Sequence, residues 1–138
     1  MTHIEHGGKG ISGMASLGDE LFIVNFSSKQ QVEVYRASTF TLRRFLVVPG
    51  LSLGGSCDLA VCERNSCLYV PDWFTNTVHR VELSGGNEVM KWSVERNPVG
   101  LSVNGDDHLI VCESTRTKVA GLYHPWNPAA EHSAASRY

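Results

Sequence analysis

The sequence lacks the features that mark several large classes of protein. The sequence of 138 residues contains no apolar run close to the roughly 18 residues needed to cross a bilayer. Met1 is not followed by the charged, apolar and small-residue segments of a secretory signal. We therefore expect no membrane span and, by default, a cytoplasmic protein. Four cysteines are too few for a disulfide scaffold. A net charge of −2 without blocks of like charge argues against nucleic acid or an anionic membrane as partner.

A repeated pattern of short apolar strands is present instead. Each of three copies has an apolar strand, a polar turn and a second strand, and the second strand contains an anchor leucine at Leu21, Leu68 or Leu109. Leu68 lies 47 residues after Leu21, and Leu109 lies 41 residues after Leu68. Propeller blades repeat at about 40 to 50 residues. A fourth apolar run follows in the first two copies, at 41–48 and 88–94.

These observations predict an all-β fold built from four-stranded antiparallel meander blades. We expect a β-propeller with an incomplete ring, two full blades and a partial third. A β-sandwich also has many short strands and is the alternative, although it does not require recurring anchors. Because side chains alternate along a strand, one face of the second copy should carry Leu59, Val61, Leu68 and Val70, and the other Ala60 and Tyr69. Apolar residues on both faces predict a neighbour on each side.

The repeat also divides the chain. We predict a lead-in at 1–10, blades at about 11–50, 56–94 and 98–123, and a disordered tail rich in Pro, Ala and Ser at 124–138. Three blades fall short of the roughly four to eight in known propellers. Two flanking faces would then be uncovered, which favours association. The chain is therefore expected to be a homodimer of half-propellers or a fragment of a larger propeller.

The third copy carries the most distinctive motif. It reads Asn97-Pro98-Val99-Gly100-Leu101-Ser102-Val103, followed by Leu109-Ile110-Val111-Cys112-Glu113 and Lys118-Val119. This motif resembles the NHL repeat, although the first two copies lack its leading proline and glycine. The resemblance covers roughly 11–123. It implies a propeller, commonly six-bladed, in proteins that bind other proteins or sometimes RNA, or in related enzymes that carry out metal-dependent hydrolysis.

Polar residues recur where the second strand of each copy ends, at Asn25, Asp72 and Glu113. The acidic residues match the NHL pattern, and Asn25 departs from it. Radial symmetry could bring the three to one end of the central channel, where their oxygens could hold a cation such as calcium or contact a polar ligand. Alternatively, each side chain accepts hydrogen bonds from the backbone of the following turn. We favour this structural interpretation, and no cofactor is predicted.

The cysteines suggest a structural link. Cys62 and Cys67 flank the turn 63–66 and should face each other across a hairpin, at a Cα separation of about 4.5 to 5.5 Å that suits a disulfide. An oxidising compartment would favour this bond, and a reducing cytosol would keep the thiols free. Without a Cys-x-x-Cys pair, zinc binding is not expected. Cys112 should be a small buried hydrophobe. The tryptophans Trp73, Trp92 and Trp126 should pack between blades.

The expected function is protein binding without catalysis. The sequence has no Gly-x-Ser-x-Gly elbow or similar nucleophile motif, and polar turns on a rigid scaffold suit a binding surface for a partner of unknown identity. Two alternatives remain. A metal-dependent hydrolase of the six-bladed lactonase kind would draw on Asp58, Asp72 and Glu113. An RNA-binding domain would need a basic face, for which the chain offers only small pairs, Arg43-Arg44 and Arg116 with Lys118.

Overall fold

The fold consists of short strands in three sheets. The computed structural model describes residues 11–25, 31–52, 58–86, 88–94, 98–113 and 119–123. These ranges contain eleven strands and no helix. Within them there is accordingly no helix long and apolar enough to cross a membrane. The all-β prediction is confirmed. The predicted lead-in 1–10 and tail 124–138 lie outside the described residues.

Each sheet is an antiparallel meander, and we call the sheets blades 1, 2 and 3. Blade 1 contains β1 (Ile11–Leu17), β2 (Glu20–Asn25), β3 (Gln31–Arg36) and β4 (Thr41–Val47). Blade 2 contains β5 (Ala60–Cys62), β6 (Cys67–Asp72), β7 (Thr77–Glu82) and β8 (Val89–Ser93). Blade 3 contains β9 (Pro98–Val103), β10 (Leu109–Glu113) and β11 (Val119–Tyr123), with β10 between the other two.

Turn residues explain where the strands reverse. Gly18 adopts a φ of 59° between β1 and β2, a conformation that glycine accepts without steric cost. In the β9–β10 turn, the Asn104 side-chain oxygen accepts hydrogen bonds from the backbone N–H groups of Asp106, at 2.9 Å, and His108, at 3.0 Å. This is the local side-chain bonding that makes asparagine a frequent turn residue. The polar turns of the sequence are thus held by their own side chains and backbone.

The linker from blade 1 to blade 2 begins with a tight turn at 48–51. The Leu51 N–H donates to the Val48 carbonyl at 3.2 Å. Pro49 occupies the second position of this turn, and Gly50 occupies the third with a φ of 82°, the combination typical of a type II turn. After this turn, the backbone N–H of Ser52 points towards blade 2.

Strand alternation provides every blade with two faces. We call the face directed at the preceding blade the leading face and the other the trailing face. Blade 1's trailing face packs on blade 2's leading face around a buried cluster, Phe22, Val24, Val32, Val34, Leu46, Val48, Leu51, Leu59, Leu68, Val70 and Val81. Blade 2's trailing face packs on blade 3's leading face around a second cluster, Ala60, Cys62, Cys67, Tyr69, Val78, Val94, Leu101, Leu109 and Val111. The predicted division of blade 2 into two apolar faces is confirmed.

The blades converge along their first strands. β5 lies against β1 on one side and β9 on the other, so the first strands lie at the narrow inner side of the wedge. Because the strands alternate in direction, the last residues of β2, β6 and β10 lie at the same end of the blades as the last residues of β4 and β8. We call this the linker end, and it is where Asn25, Asp72 and Glu113 terminate their strands.

The core makes a direct stability prediction. Leu68 is fully buried between blades 1 and 2, whereas Met90 on the same blade is 48% exposed. Leu68→Ala should lower the free energy of unfolding by about 2 to 5 kcal/mol, because it removes buried apolar contacts and leaves a cavity. Met90→Ala should change it by less than about 0.5 kcal/mol. Urea denaturation measures both values, and equal losses would contradict this packing.

Candidate functional site

The structure places the three predicted channel-end residues at equivalent positions. Asn25, Asp72 and Glu113 are the last residues of β2, β6 and β10 at the linker end. The side chains of Asn25 and Glu113 lie outside the described part of the chain. Their convergence with Asp72 on a cation or polar ligand therefore remains a prediction. The described residues contain no group of three or more His, Cys, Asp and Glu side chains that could hold a metal ion.

Asp72 holds the backbone of two segments together. Its side chain is 1% exposed. Oδ1 accepts a hydrogen bond from the Phe74 N–H at 3.2 Å, and Oδ2 accepts one from the Ser52 N–H at 2.7 Å. A buried carboxylate is costly unless it is hydrogen-bonded, and bonds to an ionised group are among the stronger ones. Asp72 therefore fixes the β6–β7 turn and ties the incoming linker to blade 2.

The bond to Phe74 is the one that the structural interpretation of Asp72 predicted. The bond to Ser52 was missed, because it joins residues 20 positions apart and depends on the Pro49-Gly50 turn. A Pro-Gly pair ahead of a repeat copy is the signal that could have indicated a sharply redirected linker.

His79 is a second buried polar residue beside Asp72. It lies on the leading face of blade 2, opposite Val70 on one side and Lys91 on the other. The side chain is fully buried, and neither ring nitrogen has a hydrogen-bond partner among the described residues. Burial lowers the pKa of His79 below its usual value, the charge of Asp72 opposes this shift, and the charge of Lys91 adds to it. His79 is thus a neutral side chain packed between blades 1 and 2.

An aromatic pair projects from the same turn. The rings of Trp73 and Phe74 meet edge to face with centroids 5.1 Å apart, and Phe74 is 55% exposed. The turn is braced beyond Asp72, since the Val94 N–H donates to the Asn76 carbonyl at 2.7 Å. The hydroxyls of Thr75 and Thr77 are also hydrogen-bonded, at 2.7 Å. An exposed ring on a backbone held at several points is suited to contacting a partner with little loss of entropy.

The cysteine prediction is confirmed in its register. Cys62 and Cys67 face each other across the β5–β6 hairpin, and both are buried. Both thiols are free, so the possible hairpin disulfide is not formed in this structure. Cys62 Sγ lies 3.7 Å from Asp107 Oδ1 and accepts a bond from Asn65 Nδ2 at 3.3 Å. Burial raises the pKa of the Cys67 thiol.

The same hairpin docks on blade 3. The Arg64 guanidinium lies 3.0 Å from Asp107 Oδ2, so Asp107 receives contacts from both Cys62 and Arg64. The Cys62 thiol is therefore directed at the neighbouring blade, which is a packing role for this residue.

Three further sequence predictions have definite outcomes. Cys112 is exposed, so the prediction that it is a buried hydrophobe was wrong. The reason is that it lies on the trailing face of blade 3, which no described residue covers. Trp92 packs at the interface of blades 2 and 3, with its ring 6.2 Å from that of Tyr69, whereas Trp73 lies in the linker-end turn. Trp126 lies outside the described residues.

The charged residues considered for hydrolase or RNA-binding activity do not form a cluster in the described structure. Arg43 and Arg44 both pair with Glu20, and Arg116 and Lys118 lie outside the described residues. Asp58 lies just ahead of β5, at the same end of blade 2 as Asp72, but Asp58 is exposed whereas Asp72 is buried.

Comparison with known proteins establishes the fold. No family model matches the chain, and no curated protein matches it. Hydrazine synthase of Kuenenia stuttgartiensis is similar in structure, with a TM-score of 0.70, 21% identity, and coverage of 91% of this chain and 35% of the other. Virginiamycin B lyase from Staphylococcus aureus has a TM-score of 0.68 and 15% identity, and the match covers 90% of this chain and 41% of that one.

Nidogen, in a complex with laminin, has a TM-score of 0.67 and 14% identity, with coverage of 84% of this chain and 44% of the other. These neighbours are β-propellers, so the propeller prediction is confirmed over the sandwich. The chain spans less than half the length of each of them. It corresponds to a segment of a larger propeller.

The role of Asp72 can be tested by removing its acceptors. Asp72→Ala should lower the free energy of unfolding by about 1 to 3 kcal/mol, because two backbone donors lose their partner. Asp72→Asn retains one side-chain oxygen as an acceptor and should lower the free energy of unfolding by less than Asp72→Ala does. Asp58→Ala, at an exposed position, is the matched control and should change stability by less than about 0.5 kcal/mol. Unchanged stability of Asp72→Ala, together with loss of a calcium-induced rise in Tm, would instead support the cation site.

His79 makes stability depend on pH. The unfolded chain binds a proton on this residue near its usual pKa of about 6.5, whereas the folded state binds it only at lower pH. Stability should therefore fall as pH decreases below about 6.5, by at most about 1.4 kcal/mol per pH unit. His79→Phe should flatten this dependence in urea denaturation between about pH 7.5 and about pH 5.5. His108→Phe, at a partly exposed position, should retain it, and equal slopes in all three proteins would refute the assignment.

Proposed function

We propose that this chain is part of a β-propeller that acts as a non-catalytic protein-interaction module and binds a protein partner through its linker end. The observation that carries the proposal is the Trp73–Phe74 pair, a half-exposed aromatic surface on a turn held by Asp72. The proposal includes repeats of the NHL type and a cytoplasmic location.

The chemistry of this turn supports the proposal. Aromatic side chains contribute much of the binding energy at protein interfaces because they bury a large area at a low cost in conformational entropy. Hydrogen bonds at both ends of the turn fix the backbone before a partner arrives, which reduces the ordering cost of binding. One similar structure, that of nidogen, is itself a complex with another protein, laminin.

The two alternatives have less support. A metal-dependent hydrolase needs several oxygen ligands that converge on one cation, but Asp72 uses both carboxylate oxygens for backbone N–H groups. An RNA-binding domain needs accessible positive charge, but Arg43 and Arg44 are paired with Glu20. Neither alternative is favoured by a specific observation.

Affinity capture tests the proposal with paired variants. Immobilised wild type, Phe74→Ser and Phe40→Ser are incubated with native cell extract, and the retained proteins are quantified by mass spectrometry. Phe40 is the matched control because it is 39% exposed on a turn at the opposite end of blade 1. We expect at least one protein that wild type and Phe40→Ser retain and Phe74→Ser loses by roughly tenfold, as for a modest hot spot. Equal retention by all three would contradict the proposal.

A further inference from the structure

Two thiols lie together at the junction of blades 2 and 3. Cys62 ends β5 and Cys67 begins β6, directly opposite it, and the two side chains are 1% and 0% exposed. Both belong to the apolar cluster that blade 2 shares with blade 3. They lie at the opposite end of blade 2 from the turn that carries Trp73 and Phe74, so this site is separate from the proposed partner surface.

The hydrogen-bond register brings the two sulfurs within reach of each other. The Leu83 N–H donates to the Ser66 carbonyl at 2.8 Å, so Ser66 bonds to β7 and the next residue, Cys67, directs its backbone groups at β5. Cys62 and Cys67 are therefore a hydrogen-bonded cross-strand pair, with a Cα separation of about 5.5 Å. Disulfides most often join Cα atoms about 5.5 to 6 Å apart. The bond therefore requires rotation of the two side chains without a movement of the strands.

The reduced Cys62 thiol is engaged by blade 3. It donates to Asp107 Oδ1 at 3.7 Å and accepts a bond from Asn65 Nδ2 at 3.3 Å. The other Asp107 oxygen lies 3.0 Å from the Arg64 guanidinium. A disulfide has no S–H group, so oxidation removes the bond from Cys62 to Asp107. The redox state of the hairpin is thus coupled to its contact with blade 3.

Burial controls access to the two thiols. It raises the pKa of Cys67, and the neighbouring Tyr69 and Arg80 side chains oppose this shift. Thiol–disulfide exchange needs a thiolate and a path for the oxidant, and the closed junction disfavours both. Reagents reach such groups when the structure opens locally. The opening that exposes this pair is separation of the β9–β10 turn from the hairpin, since Asp107 contacts Cys62 from that turn.

We propose that Cys62 and Cys67 are a reversible oxidation site, at which a low-molecular-weight disulfide closes the Cys62–Cys67 bond when the junction of blades 2 and 3 opens. The thiolate of one cysteine attacks the small disulfide, which forms a mixed disulfide and releases one small thiol. The second thiolate attacks the protein sulfur of this mixed disulfide and displaces the other small thiol. The protein gives up two electrons to the small disulfide, and its two protons pass to the released thiols. Because the coupling is reciprocal, separation of blade 3 from the hairpin favours oxidation.

Peptide mapping tests the bond directly. The folded wild type is incubated with glutathione disulfide at neutral pH, free thiols are blocked with N-ethylmaleimide, and the protein is digested with trypsin. Cleavage after arginine places Cys62 in peptide 45–64 and Cys67 in peptide 65–80, so the disulfide links two peptides that are otherwise separate. We expect this linked pair as the main product of the two thiols, and its loss after treatment with dithiothreitol.

The other cysteines provide the controls for this mapping. Peptide 45–64 also contains Cys57, so the link should persist in Cys57→Ala and disappear in Cys62→Ala. Cys112 is exposed and should form its mixed disulfide with glutathione at least roughly tenfold faster than the link forms, because it needs no opening. A mixed disulfide at Cys112 without any linked peptide would overturn the inference. A link that Cys57→Ala abolishes would overturn it as well.

A matched pair of turn variants tests the control by blade 3. Asp107→Asn removes the charge that Cys62 and Arg64 contact, and asparagine tolerates the φ of 64° at this position. The link should form roughly two- to fivefold faster, the range for loss of an ion pair with one exposed partner. Asp106→Asn changes the adjacent, exposed carboxylate and should leave the rate unchanged. Equal rates in the two variants would overturn the inference that blade 3 controls the pair.

Discussion

The structure depends on face-to-face burial of apolar β-sheets. Each blade is only three or four strands wide, and small isolated sheets are marginally stable in water. Blade 2 is stabilised by burial of both its faces. Leu68 and Val70 pack against blade 1, and Tyr69 and Ala60 pack against blade 3. Blade 1 packs on blade 2 through its trailing face, and blade 3 packs on blade 2 through its leading face. Blade 2 is therefore the most completely buried sheet. It also contains the two buried polar side chains of the described structure, Asp72 and His79.

Polar groups at the junction of blades 1 and 2 make the packing specific. Apolar faces alone allow two sheets to slide over each other, since dispersion and hydrophobic contacts have little directional preference. The Asp72 bond to Ser52 has a direction and a fixed length, and it sets where the linker enters blade 2. Asp107 has the equivalent effect at the junction with blade 3, where Arg64 and Cys62 both reach it. Each blade junction thus combines an apolar interior with a charge-assisted contact near an end.

Sequence periodicity predicted the features that depend on local geometry. The recurrence of Leu21, Leu68 and Leu109 indicated the blades, and simple alternation assigned Leu68 and Tyr69 to opposite faces, because both properties follow from spacing along the chain. The opposition of Cys62 and Cys67 followed from turn length for the same reason. What could not be predicted depends on which surface a neighbour covers. Cys112 resembles any apolar strand residue, and nothing local to it shows that its face is open. His79 likewise lies in an ordinary strand, and its burial arises only when blade 1 packs over it.

The bond between Asp72 and Ser52 also affects the order in which the chain can fold. Strands within a blade pair with their sequence neighbours, and local pairing of this kind is fast, although an isolated blade is only marginally stable until another sheet packs on it. The linker behaves differently. Its acceptor lies 20 residues further along the chain, so Ser52 has no fixed position until β6 has been synthesised and its final residue has emerged. Until β6 is complete, the trailing face of blade 1 lacks the blade 2 sheet that covers it in the folded structure. The ordered path of the linker from blade 1 to blade 2 therefore requires a chain that extends at least to Asp72.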